Sequence, residues 1–282
     1  MKIVITAANG GLGSATIKAL KELVSSENII GLARTPKKAA HLGIEVRHGD
    51  YDKPDTLHQS FKGCDVLMVI SSYAEASRRI EQHRDMIAAA QANNIKKIVY
   101  SSIIGDPKSS AFAPIVKSNR QTEEDMANCG IPYVVGRNGL YIDPDLEALE
   151  DYKKEGKIRN SAANGKCAYT SRQELGNAYA RILTNDKLNN KIFNLTGTAI
   201  DQNELAQALN RTFDLNLTFE NMSVEAYLEE RRAALGEYLG TIVGGIYESI
   251  RNGAFDVPSD FEKVVGRKHK TIDEMMATFK HE

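Results

Sequence analysis

The chain is 282 residues long and 42% apolar, enough for one large domain or for one domain with a smaller companion, each with a packed core. Its 36 basic and 37 acidic residues nearly cancel, which excludes a global field favouring nucleic acid, an anionic membrane or a strongly charged substrate, so recognition has to be local. Three widely spaced cysteines, Cys64, Cys129 and Cys167, form neither a disulfide framework nor a C-x-x-C site. No apolar run approaches the roughly 18 residues of a membrane span, and the opening run Lys2-Ile3-Val4-Ile5-Thr6 is too short for a signal peptide, so the expected location is the cytoplasm.

In chain order, short β-branched runs occur at Ile3-Val4-Ile5, Ile29-Ile30-Gly31-Leu32, Val66-Leu67-Met68-Val69-Ile70, Ile98-Val99-Tyr100 and Tyr133-Val134-Val135, with helical periodicity between them. Continuous rather than alternating apolar strands predict βαβ units and a parallel sheet buried on both faces. Thr35 before Pro36 reads as a helix N-cap, and Ser118-x-x-Gln121 and Ser171-x-x-Glu174 read as capping boxes. Beyond Gly139 the pattern turns mostly helical, near 171–183, 201–213 and 223–251, around one strand-like run at Lys191-Ile192-Phe193-Asn194-Leu195. The expected architecture is therefore α/β, a Rossmann-type doubly wound parallel sheet over residues 1–138. A smaller, mostly helical substrate-binding region spans 139–282, with the strand near 191–195 returning to the sheet. Gly244-Gly245 is expected to break or kink the long helical stretch.

The first strand runs straight into Thr6-Ala7-Ala8-Asn9-Gly10-Gly11-Leu12-Gly13, followed by a helix expected over 14–24. That is the context a dinucleotide phosphate turn requires. Gly10 lets backbone approach a pyrophosphate, Gly13 lets the helix pack closely, and free amides at the helix start attract the phosphate charge. The cofactor-binding set here is Ala7, Asn9, Gly10, Gly11, Leu12 and Gly13. Ala7 stands where a first glycine is usual, and serves if its φ stays negative. After the second strand no carboxylate is present to hold ribose hydroxyls. Arg34 is there instead, with Lys37 and Lys38 behind it, which favours NADP(H) through a 2′-phosphate.

With that turn, Arg34, Asp50, Ile70-Ser71-Ser72, Ser101-Ser102 and Arg137-Asn138-Gly139-Leu140-Tyr141 in order, the chain resembles the NmrA-like atypical short-chain dehydrogenases/reductases. Within them it is most similar to the bacterial NADPH:quinone oxidoreductase 2 group. The likeness extends through Asn164-Gly165-Lys166, Ser171-Arg172-x-Glu174-Leu175 and Phe193-Asn194-Leu195-Thr196-Gly197. The resemblance implies that Ser71, Ser72 and Ser102 line the ribose and nicotinamide, and that Arg172 lies near the cofactor's distal side.

Ketone-reducing members of the wider superfamily use Tyr-x-x-x-Lys as proton donor. Here Lys117 stands where that lysine is expected, but four residues earlier is Ala113, and none of the eleven tyrosines has lysine four residues on. A quinone-like acceptor needs no such donor, because hydride gives it a delocalised anion that water protonates. The catalytic candidates are then Asn138 as hydrogen-bond partner of an acceptor oxygen, Tyr141 as ring cover or donor, and Lys117 on ribose hydroxyls or developing charge. Six scattered histidines make no metal motif, and no Gly-x-Ser-x-Gly elbow occurs. The first reading is thus an NADPH-dependent reductase of a quinone-like small molecule. The second is a non-catalytic NADP(H)-binding redox sensor of the NmrA type, and the third a nucleotide-sugar epimerase-like protein. A homodimer or a protein partner stays open.

Overall fold

The structure, a computed structural model, describes residues 1–108 and 110–280. The first half alternates as the apolar runs demand: β1 (Ile3–Ile5), α1 (Gly11–Leu20), β2 (Ile29–Ala33), β3 (Glu45–His48), α2 (Pro54–Ser60), β4 (Val66–Ile70), α3 (Ala76–Ala92), β5 (Lys97–Ile103), α4 (Ala113–Asn128) and β6 (Tyr133–Asn138). The second half continues with β7 (Leu140–Tyr141), α5 (Asp143–Glu147), α6 (Leu149–Glu155), β8 (Lys157–Asn160), β9 (Cys167–Thr170), α7 (Arg172–Leu183), β10 (Lys191–Leu195) and β11 (Ala199–Ile200). It ends with α8 (Gln202–Phe213), β12 (Thr218–Asn221), α9 (Val224–Leu235), α10 (Glu237–Arg251), α11 (Phe261–Val265) and α12 (Ile272–Lys280).

Seven strands form one parallel sheet in the order β10-β6-β5-β4-β1-β2-β3, the doubly wound arrangement expected from the sequence. Ile3, Ile5, Val99 and Val134 pack on one face with residues of α1 and α7, while Val4, Leu67, Ile98 and Val135 pack on the other with Leu57, Met86 and Met126. A third apolar cluster, including Phe112, Tyr169, Leu209 and Phe255, holds the C-terminal region together.

The chain's return to the sheet is larger than one strand. β10 pairs with β6, Phe193 opposite Gly136. α7 lies so closely on α1 that a Cβ on Gly176 would stand 2.6 Å from the Ala15 carbonyl oxygen.

Several expected local signals are corrected. α1 begins at Gly11 rather than Ser14 and ends at Leu20, so the last glycines of the turn form the first helical turn. Ser118 lies inside α4 and donates to the Ile115 carbonyl; that helix starts at Ala113 with Pro114 behind it. Thr35 precedes a 3₁₀ segment, Pro36–Leu42, and its side chain makes no capping bond. Ser171 does cap α7, accepting from the Glu174 amide, but the Glu174 carboxylate turns away to Arg267.

The break in the long helical stretch falls at Gly236 (φ 81, ψ 164), not at Gly244-Gly245. Those two glycines sit inside α10 because other backbone comes too close for a side chain. A Cβ on Gly245 would stand 2.3 Å from the Phe112 nitrogen, and one on Gly244 2.6 Å from Leu228 Cδ1.

Candidate functional site

At the carboxyl ends of β1 and β2, the Ala8 amide donates to the Leu32 carbonyl and the Gly10 amide to the Ala7 carbonyl, closing a tight turn. Ala7 adopts φ 49, against the expectation of a negative φ. The left-handed conformation brings its carbonyl over α1, where a Cβ on Gly13 would lie only 2.4 Å from it. The glycine therefore stands at the position that the turn compresses most. Asn9, Gly10 and Gly11 are exposed, and the first amides of α1 lack intrahelical acceptors by construction. The result is a cradle of backbone donors, open over Asn9 and Gly10, which fits a pyrophosphate.

Arg34 follows β2 directly, is exposed, and makes no hydrogen bond or ion pair to any described residue; Lys37 and Lys38 are exposed beside it. The nearby carboxylate, Asp52, is held by Gln82 and Arg78, whose hydrogen bonds do most to lower its pKa; the Arg34 charge lowers it a little further without forming a direct ion pair.

After β4, the Ser71 amide donates to the Ser101 hydroxyl at 3.0 Å, and the Ser72 amide to His83 Nε2 at 3.1 Å. The other ring nitrogen of His83 meets Thr122 Oγ1 at 2.8 Å; burial holds this imidazole down to about 3, so it stays neutral. The Ser72 hydroxyl donates to Gln82. These loop anchors, Ser101, Gln82 and His83, carry no sequence motif, and only strand register distinguishes Ser101 from its neighbour. Ser102 faces the opposite side of β5, is 3% exposed, and donates to Glu123 at 2.6 Å. Glu123 also pairs with Arg120 and Arg137, so the Ser102 hydroxyl is committed to the protein interior.

At the end of β6, Asn138 is buried, accepts from the Tyr179 hydroxyl at 2.6 Å, and donates through Nδ2 to the Tyr141 hydroxyl at 3.0 Å. Burial raises the Tyr141 phenol well above its ordinary value, so at neutral pH it keeps its proton. That proton has no acceptor among the described residues. Lys117, one turn after the buried Ala113 on α4, is exposed and without a described partner.

Arg172 opens α7, and its stem lies over Gly11, where a Cβ would meet Arg172 Cδ at 2.6 Å. Its guanidinium pairs with Glu147 and more loosely with Asp143 at 3.8 Å, both on α5, and interacts electrostatically with Tyr141. The glycine turn, Arg172, Asn138 and Tyr141 are thus brought to one edge of the sheet, whereas Ser102 faces away.

Behind Tyr141, Asp145 is 5% exposed and accepts a 2.7 Å hydrogen bond from Tyr152. Burial raises its carboxyl to about 6. Because the folded state holds this proton more tightly than the unfolded chain, the cost of ionising it is fully present above pH 6. That cost shrinks as the pH falls from 6 toward the ordinary carboxyl value of 3.8, and is gone only below it, where both states are protonated. Between pH 4 and pH 7 the unfolding free energy of the wild type should therefore fall by about 2 kcal/mol relative to Asp145→Asn. Urea unfolding of both proteins at several pH values measures this; parallel profiles would remove the argument.

Residues 7–186 match the family described as NAD(P)H-binding. Over 284 residues the chain is 29% identical to quinone oxidoreductase 2 of Escherichia coli (strain K12), covering 98% of this chain and 97% of that protein. It is 24% identical to an NmrA-like family domain-containing oxidoreductase of Aspergillus flavus, over 90% of this chain and 86% of the other. Among solved structures, triphenylmethane reductase from Citrobacter sp., complexed with NADP(H), matches with a TM-score of 0.90 at 30% identity, over 99% of each chain.

Proposed function

Because the chain belongs to the NAD(P)H-binding family, we propose that it is an NADPH-dependent reductase that passes hydride to a flat, quinone-like small molecule. Residues 1–138 supply the cofactor side and 139–282 most of the acceptor side, with 172–195 returning to the first. One observation carries the reading: Tyr141, held by an Asn138 that Tyr179 itself fixes, lies beside the glycine cradle with Arg172 as their common neighbour. Together with Ala113 in the place of a proton-donating tyrosine, this is a site that holds an acceptor rather than one built to protonate it.

The exposed cradle and the unpartnered Arg34 are the residues that would hold NADPH. When bound, the cofactor supplies the hydride. The protein's own part is to keep Asn138 oriented, to offer the Tyr141 hydroxyl and ring to the acceptor, and to leave Lys117 free for ribose hydroxyls or developing charge. Ser71 and Ser72, anchored by Ser101, His83 and Gln82, support the nicotinamide end.

Tyr141→Phe should keep kcat within about tenfold, the worth of one neutral hydrogen bond, while Tyr141→Ala should raise the quinone KM about tenfold or more. Steady-state NADPH oxidation with a quinone series reads both. A kcat loss beyond a hundredfold in Tyr141→Phe would make Tyr141 the acid and end the positioning account. The absent Tyr-Lys pair fits a non-catalytic redox sensor as well, and wild-type protein that binds NADPH yet reduces no quinone or dye would favour that reading.

A further inference from the structure

Arg79, in the first turn of α3, is only 5% exposed, yet no carboxylate among the described residues pairs with it. Of its guanidinium nitrogens only Nη2 has a protein acceptor, the Ala74 carbonyl oxygen at 3.1 Å, and Nε is buried with none. No described aromatic face lies beneath it. Two other buried charges show how the fold usually compensates them, Asp145 being the exception that burial drives toward its neutral form. Lys97 is ringed by the Ile182 and Asn185 carbonyls and Asp186, and Glu123 lies between Arg120 and Arg137. Pinning Ala74 needs one donor, which a neutral side chain could give without burying a charge, so the cation calls for an anion that no described residue supplies.

The surroundings say where that anion comes from. Tyr238, at the start of α10, donates to the same Ala74 carbonyl at 2.8 Å. Tyr73, 92% exposed on the same loop, carries a phenol whose electrostatic influence reaches Arg79, Tyr141 and Arg172 alike. Neighbouring Arg78 and Gln82 face Asp52, on the Arg34 side, whereas Arg79 interacts with the buried Tyr100 of β5 and with Tyr238 and Tyr73.

We propose that Arg79 anchors an anionic substituent of the acceptor, a carboxylate or sulfonate on a planar ring that Tyr73 covers; this rests on the acceptor-reductase reading above. The competing source of an anion is a phosphate of the cofactor. Two acceptors separate them: 1,4-naphthoquinone and its 2-sulfonate, each assayed with NADPH on wild type, Arg79→Met and Arg79→Lys.

Arg79→Met should lower kcat/KM for the sulfonate at least twentyfold, while the neutral quinone and the NADPH Kd stay within twofold. Arg79→Lys should lie between. Equal loss on both quinones would reduce Arg79 to a pin for the loop. A tenfold loss of NADPH affinity with unchanged quinone selectivity would give the anion to the cofactor. Either result overturns the proposal.

A binding measurement on the wild type does not depend on turnover or on the variants folding. Naphthalene-2-sulfonate, which cannot be reduced, should raise the melting temperature of the NADPH-loaded wild type, and naphthalene-2-methanol should not. Equal shifts, or none, overturn the anion site. If the sulfonate shift appears but neither quinone is reduced, the reductase reading fails while the anion site stands.

Discussion

Gly10→Val is expected to weaken NADPH binding by roughly a hundredfold while leaving the melting temperature within a few degrees of wild type. Gly10 is the N-cap of α1 at φ −81 and ψ 163, an extended conformation open to any residue, so valine brings no backbone strain. A Cβ there would stand 3.2 Å from the Ala7 carbonyl oxygen, tight but with nothing else nearby. What the branched side chain does is fill the exposed cradle over the first amides of α1. Losing one or two charge-assisted hydrogen bonds at roughly 1.5–3 kcal/mol each gives the stated factor. Gly13→Val should behave in the opposite way, destabilising the protein itself, because its Cβ would stand 2.4 Å from backbone oxygen. Titration by NADPH fluorescence beside a thermal melt separates the two, and unchanged affinity in a folded Gly10→Val would show that the turn holds no phosphate.

Arg34→Ala is expected to bring NADPH affinity down to that of NADH, a drop of about ten- to a hundredfold, while NADH binding moves less than twofold. Arg34 makes no hydrogen bond or ion pair to a described residue, so its removal leaves no described buried group unpaired, and its planar fork matches a 2′-phosphate in two bonds. Calorimetric titration of both cofactors tests this; an unchanged NADPH-to-NADH ratio would move the discrimination elsewhere.

The sheet could be read from the sequence because burial on both faces leaves continuous apolar runs. β1 and β4 fall on those runs to the residue; the edge strand β10 matches its strand-like run at Lys191–Leu195 with its first two residues exposed, and β3, Glu45–His48, lies on none of the apolar runs. The short strands β7, β8, β9, β11 and β12 could not, being two to four residues long with no periodicity of their own. Glycines were read for conformation where the fold uses some of them for proximity. Gly244 and Gly245 look like a helix breaker until Phe112 and Leu228 are seen against them. The cradle was equally plain in its residues but not in its backbone, because Ala7 at φ 49 is imposed by the turn around it.

Side-chain partnership was the least visible. Ser101 and Ser102 are alike in sequence, and the pleat alone sends one to Ser71 and the other to Glu123. Nothing in the sequence separates Arg79 from Arg78 beside it; only its burial without an acid sets it apart.

The return of α7 and β10 also bears on how the chain assembles during synthesis. When β6 emerges, its outer edge has no neighbour, and it waits about 50 residues for Lys191–Leu195 to pair with it. At ordinary elongation rates that is several seconds with an apolar edge strand open to other chains. The face of α1 that α7 covers is bare over the same interval. A nascent chain stalled shortly after Asn138 should therefore associate or recruit chaperones, whereas one stalled well past Leu195 should be protease-resistant in its first half.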